Sequence, residues 1–190
     1  MRRIIIGITG ASGVIYGIRL LEVLREEPGI ETHLVLSKLG KMNISIETDL
    51  TLKYVHSLAN QVHNNQDVSA TLASGSFTTD GMVVAPCSMK SLSSIVHSAA
   101  DNLITRASDV ILKEGRKLVL LPRETPLHLG HCRLLLSAAE MGARLVPPMP
   151  AFYNQPQSVD DIVNHTVGRV LDLFDIDAGI VKRWEGTKRS

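Results

Sequence analysis

This chain encodes a doubly wound α/β sheet, and three observations predict it. Short β-branched runs alternate with longer segments of helical period, most of the runs are apolar throughout, and the first run passes through a glycine-rich turn directly into a helical segment. Strands covered on both faces of a parallel sheet carry near-continuous apolar sequence, whereas a sheet wetted on one face alternates. In chain order, residues 4–9 read as the first strand and 14–26 as the helix behind it. Residues 32–36 and 82–85 give the next two strands, and 102–114 the next clear helix. Residues 118–121, 129–141 and 145–146 follow as strand, helix and strand. The closing helix spans 160–174, where Val163, Val167, Val170, Leu171 and Phe174 keep one apolar face at helical spacing. Repeated β-α alternation of this kind predicts three layers, with a mainly parallel sheet between two sets of helices. Residues 60–76 are polar and weakly patterned, and no element is assigned there.

Composition narrows the function. The 190 residues hold 20 Lys and Arg against 19 Asp and Glu, a net charge of +1, which supplies no long-range field for a nucleic acid or an anionic membrane. Cys87 and Cys132 stand far apart, as expected of a reduced compartment rather than a disulfide scaffold. Gly7 interrupts the apolar run after Met1-Arg2-Arg3, no small-residue cleavage pattern follows, and no stretch of about 18 apolar residues occurs. The expectation is a cytoplasmic protein of one domain, 1–190, with a tail from about 176. That tail carries Lys182, Arg183, Trp184 and Lys188. Trp184 suits either a lid or subunit contact, or a lone hydrophobe on the core edge.

Several loops carry chemistry. Gly10-Ala11-Ser12-Gly13 joins a strand to a helix, where exposed backbone amides and the helix dipole stabilise a phosphate. A nicotinamide reductase does not follow from it. The second strand ends in Ser37-Lys38 where an acidic residue would meet the ribose, and none of Tyr16, Tyr54 and Tyr153 has a Lys four residues on. A mononucleotide such as FMN suits the short chain better. Pro86-Cys87-Ser88-Met89-Lys90-Ser91 provides a second hydroxyl-rich loop at the carboxyl edge of the sheet. Cys87 has no neighbouring base and reads as a small buried residue. Arg106 and Lys113 share a helix face, either as a ladder through Asp109 or, with Arg123 and Arg169, as part of a cluster converging on one phosphate. His128 and His131 lack a third metal ligand. Glu47, in Glu47-Thr48-Asp49, is expected to precede a helix as a first-turn acid or capping carboxylate.

Taken together, Thr9 to Gly13 with Tyr16-Gly17, Ser37-Lys38, Glu47-Thr48-Asp49, Pro86 to Lys90, Asp101-Asn102-Leu103-Ile104 with Arg106-Ala107, Leu112-Lys113-Glu114, Pro122 to Leu127 and Pro150-Ala151-Phe152-Tyr153 resemble the UbiX-type flavin prenyltransferases, formerly described as phenylacrylic or 3-octaprenyl-4-hydroxybenzoate decarboxylases. The match runs from Ile4 to about Trp184. The resemblance implies a Rossmann-like or flavodoxin-like domain and a metal-independent transfer of a dimethylallyl group from dimethylallyl phosphate to reduced FMN, at N5 and then C6. The product, prenylated FMN, serves a partner UbiD-type decarboxylase.

By the same resemblance Gly10, Ala11, Ser12, Ser37, Ser88, Met89, Lys90, Ser91 and Arg123 hold FMN, and Tyr153 and Arg169 bind the prenyl donor. Arg106 and Lys113 complete the phosphate cluster. Ser12 bonds that phosphate or relays a proton, Glu47 and Glu124 are candidates to remove the C6 proton, and Trp184 faces the allylic cation. A homododecamer with sites shared between subunits is also implied. The competing readings are an FMN-dependent decarboxylase of the same fold, acting on an aromatic acid or a cysteine, and an FMN electron carrier.

Overall fold

The computed structural model describes residues 1–181, 183 and 186. Six strands form one sheet: β1 Arg2–Ile8, β2 Ile30–Leu36, β3 Gln61–Asn64, β4 Gly81–Cys87, β5 Lys117–Pro122 and β6 Arg144–Leu145. Every pairing is parallel, in the spatial order β3-β2-β1-β4-β5-β6. Seven helices flank it among the described residues: α1 Val14–Glu26, α2 Lys38–Glu47, α3 Leu52–Ser57, α4 Met89–Val96, α5 Leu103–Lys113, α6 Leu129–Glu140 and α7 Val159–Asp172. The expected three-layer α/β architecture is what the chain adopts.

Strand alternation sorts the core into two halves. Ile4, Ile6 and Ile8 of β1 pack with Val83 and Ala85 against buried residues of α1 and α7, while Ile5 joins Met82, Val84 and Leu118 under α4 and α5. Because both faces are covered, the central strands need apolar residues at consecutive positions, which is why they read as unbroken runs. The α7 stripe lies against the first half, with Val163, Val167, Val170, Leu171 and Phe174 all buried.

The segment 60–76 contains the edge strand β3 and a single 3-10 turn, Thr71–Ala73, both invisible to apolar patterning. β3 reads Gln-Val-His-Asn and buries little, so backbone pairing with β2 holds it. α2 and α3 were likewise unassigned. They bury only Gly40 and Ile44, and Val55, and are set by serine and threonine caps: Ser37 Oγ accepts from Gly40 N and Thr51 Oγ1 from Tyr54 N. The last strand is Arg144–Leu145, one residue earlier than expected.

Candidate functional site

Strand order reverses between β1 and β4, because one half of the chain winds outward through β2 and β3 and the other through β5 and β6. The loops leaving adjacent strands there diverge and open a crevice at the carboxyl edge. A cavity of about 340 Å³ fills it, lined by Gly10, Ser37, Lys38, Leu39, Asn65, Ser88, Lys90, Ser91, Asn102 and Thr105 among others. That volume falls within the ~300–1,000 Å³ of small-molecule pockets.

Thr9 builds the crevice. Its buried hydroxyl donates to Pro86 O at 2.7 Å and accepts from Ser88 N at 2.8 Å, tying the loop after β1 to the loop after β4. Gly10 must lack a side chain, since a Cβ there would collide with Leu39 Cβ. Ser37 and Ser88 cap α2 and α4, taking up the amides of Gly40 and Ser91, and neither helix has an acidic residue in its first turn. The remaining first-turn amides have no intrahelical acceptor, so two positive helix ends open on the cavity with Lys38 and Lys90 in its wall. Such an arrangement suits an anion, with hydroxyl donors beside it.

One expectation is corrected here. The α1 N-terminus is not open for a phosphate, because Glu47 Oε2 accepts from Gly13 N at 2.8 Å and Val14 N at 3.1 Å. Glu47 does stand ahead of a helix, α3, and it is a capping carboxylate, but the helix it caps is not the one that follows it. It is the last residue of α2 and caps the N-terminus of α1. Three-dimensional proximity, not sequence spacing, chooses the helix it serves. Among the expected flavin ligands, Gly10, Ser37, Ser88, Lys90 and Ser91 line the cavity, whereas Ala11, Ser12, Met89 and Arg123 stand outside its wall. Arg123 is nonetheless held beside the β4 loop, its amide donating to Cys87 O. Cys87 is buried, and burial pushes its thiol up to about 12, so it supplies no thiolate.

Reasoning from sequence quoted Thr9 and Asn102 in motifs without giving them a role at the site, and passed over Leu39 and Asn65. Asn65 is informative: its backbone and side-chain oxygens accept from Leu103 N and Ile104 N, fastening the α5 N-terminus beside the crevice. The adjacent pair Asn64-Asn65 inside the weakly patterned segment was the available signal.

The expected cations do not meet within one chain. Arg106 and Lys113 lie on α5, and Arg169 on α7, and those helices cover opposite faces of the sheet. Arg106 donates to Ala73 O and pairs with Asp109 at 3.0 Å, as the ladder reading has it, but Lys113 turns to Glu114 instead of Asp109. Arg169 pairs with Asp172, which Arg183 also contacts. Tyr153 and Arg169 do come together, lining a second cavity of about 380 Å³ with Val181 and Arg183. Glu124 Oε1 accepts from Thr125 N at the end of β5. Trp184 lies outside the described residues. His128 caps α6 through Nδ1, which accepts from Gly130 N, with its ring against that of His131.

Comparison with known proteins shows what this chain is similar to. The Flavoprotein family model matches residues 1–171. The flavin prenyltransferase UbiX of Escherichia coli K12 is 57% identical over 188 residues, spanning 98% of this chain and 100% of that protein. A solved AnUbiX (PadA1) complex with FMN and dimethylallyl pyrophosphate superposes with a TM-score of 0.96 at 48% identity, over 98% of this chain and 99% of that one. A dodecameric FMN-dependent UbiX-like decarboxylase from Escherichia coli O157:H7 superposes with a TM-score of 0.95 at 53% identity, over 97% and 100%. The chain therefore belongs to the flavoprotein family and, within it, to the UbiX flavin prenyltransferases.

Proposed function

We propose that this chain is a flavin prenyltransferase that moves a dimethylallyl group from dimethylallyl phosphate to reduced FMN, at N5 and then at C6. The observation that carries the reading is the crevice at the strand-order reversal, where two helix N-termini without first-turn carboxylates meet three serine hydroxyls. FMN fits that wall. Its phosphate has the amides of α2 and α4 and the Ser37 and Ser91 hydroxyls to accept from, Ser88 Oγ donating to Ser91 Oγ, and Gly10 leaves room for the backbone to approach. When bound, reduced flavin supplies a nucleophilic N5 and then C6, while the donor's allylic C–O bond breaks and phosphate departs.

The chain's own contribution is charge and placement. Tyr153 and Arg169 hold the donor phosphate in the second cavity, and their pre-set positions stabilise the charge that grows on it as it leaves. Arg106 and Lys113, on the opposite face of their own subunit, complete the phosphate cluster of a neighbouring one in a homododecamer. Ser12 donates to the same phosphate, Glu47 and Glu124 take the flavin C6 proton, and Trp184 contributes cation–π stabilisation of the allylic cation. Exposed apolar residues support assembly: Leu39, Met42 and Ile46 recur along α2 beside the crevice, and Phe152 is 71% exposed next to Tyr153. The product passes to a UbiD-type decarboxylase. Among the described residues no helix is long and apolar enough to cross a membrane, and we place the protein in the cytoplasm.

The test is anaerobic incubation with reduced FMN and dimethylallyl phosphate, followed by the mass of the released flavin. A flavin heavier by one isoprene unit is expected. Unmodified FMN alone, from protein that binds both ligands, refutes the reading and favours a direct decarboxylase.

A further inference from the structure

Tyr153 does not stand by itself at the second cavity. Its phenol oxygen lies 2.8 Å from Nε2 of His165, and the two rings meet edge to face with centroids 5.7 Å apart. His165 sits on α7 one turn before Arg169, so the helix that carries Arg169 also carries a contact to the tyrosine. Tyr153 comes from an irregular segment between β6 and α7 and is half exposed, with no helix or strand of its own to define its ring. His165 is partly buried and lines a polar cavity of about 250 Å³ with Asn154, Gln155, Asp161 and Val181, and Val181 also borders the Tyr153 cavity.

We infer that His165 is the positioning residue for Tyr153, donating its Nε2–H to the phenol oxygen so that the phenol's own hydrogen points to the donor phosphate. The inference rests on the prenyltransferase reading. A tyrosine hydroxyl has one hydrogen and two lone pairs. If the hydrogen went to the imidazole, only lone pairs would face the phosphate, and they would repel it. With Nε2–H as donor, the phenol accepts on one side and donates on the other, and the chain of two hydrogen bonds strengthens the second. The charged groups around the ring agree. Burial first, and then Arg169 on the same helix, hold the imidazole below its ordinary pKa, so it stays neutral and keeps a single ring hydrogen. Asp161, one turn earlier, is occupied by the amides of Gln157 and Ser158. Arg183 faces the tyrosine cavity and pairs with Asp172 and Asp177.

The test measures steady-state prenylation with dimethylallyl phosphate varied, and FMN affinity alongside. His165→Phe keeps the ring contact and removes the hydrogen bond; kcat/KM for the donor is expected to fall about tenfold, with FMN binding unchanged. His165→Gln, whose amide donates from a similar reach, is expected to stay within about threefold of the parent. In Tyr153→Phe the second change adds nothing, because His165 acts only through the phenol that is missing. A His165→Phe deficit that multiplies in full on top of Tyr153→Phe overturns the inference, as does parental activity in both His165 variants. Absence of prenylated flavin from the parent protein instead refutes the functional reading itself.

Discussion

Thr9→Val removes one hydroxyl and keeps the shape of the side chain, so its cost is set by hydrogen bonding. The hydroxyl donates to Pro86 O at 2.7 Å and accepts from Ser88 N at 2.8 Å. Pro86 O retains a second partner, the Thr9 amide at 3.2 Å, so losing the hydroxyl leaves it satisfied. Ser88 N has no such reserve. An orphaned, partly buried amide costs ~1–3 kcal/mol, which sets the expected loss at about 2 kcal/mol. For a chain of this size that corresponds to roughly 4–8 °C in Tm, at about 2–4 °C per kcal/mol. Because Ser88 both caps α4 and lines the crevice, FMN affinity is expected to drop about tenfold as well. Thr9→Ser restores both bonds and loses only a methyl group, about 1 kcal/mol. Thermal unfolding at one protein concentration, which assembly makes necessary, and a flavin fluorescence titration measure the two effects. A Thr9→Val protein within about 0.5 kcal/mol of the parent and with unchanged flavin affinity refutes the view that this hydroxyl holds the two loops together.

Glu47→Ala leaves Gly13 N and Val14 N without their carboxylate and is expected to cost about 1 kcal/mol, with Glu47→Gln recovering part of it, as read by denaturant unfolding. Should prenylation by Glu47→Gln fall a hundredfold while its stability barely moves, the carboxylate has a chemical duty beyond capping. Gly17→Ala places a Cβ against Ala85 O and the Ile8 side chain, so it is expected to destabilise by ~1–3 kcal/mol, and a neutral result would mean that α1 can shift on the sheet. In a Cys132→Ser background, Cys87 is expected to resist thiol reagents at pH 8 until denaturant is added, because burial keeps it protonated. The folded thiol titrates higher than the unfolded one, so this group favours folding below about pH 9 and loses that contribution as pH rises toward 12.

The sequence by itself determined the layers. A strand buried on both faces has no choice but to be apolar at consecutive positions, and an amphipathic helix such as α7 repeats its stripe, so β1, β2, β4, β5, α1, α5, α6 and α7 were legible as local patterns. β3, α2 and α3 were not, because they bury too little to leave a period, and pairing and caps define them instead. The same division holds at the site. Loop serines after β2 and β4 announced a polar crevice, since strand ends in a parallel sheet open on one edge. Only the tertiary structure decided which helix ends stay free: Glu47 travels with α2 to close α1, a contact between residues 33 and 34 positions apart that no spacing rule contains. It also decided that Arg106 and Lys113 sit across the sheet from Arg169. A run of charges in sequence carries no record of the face on which each helix lands. That is fixed by which side of the sheet each crossover passes, and hence by the order of the strands.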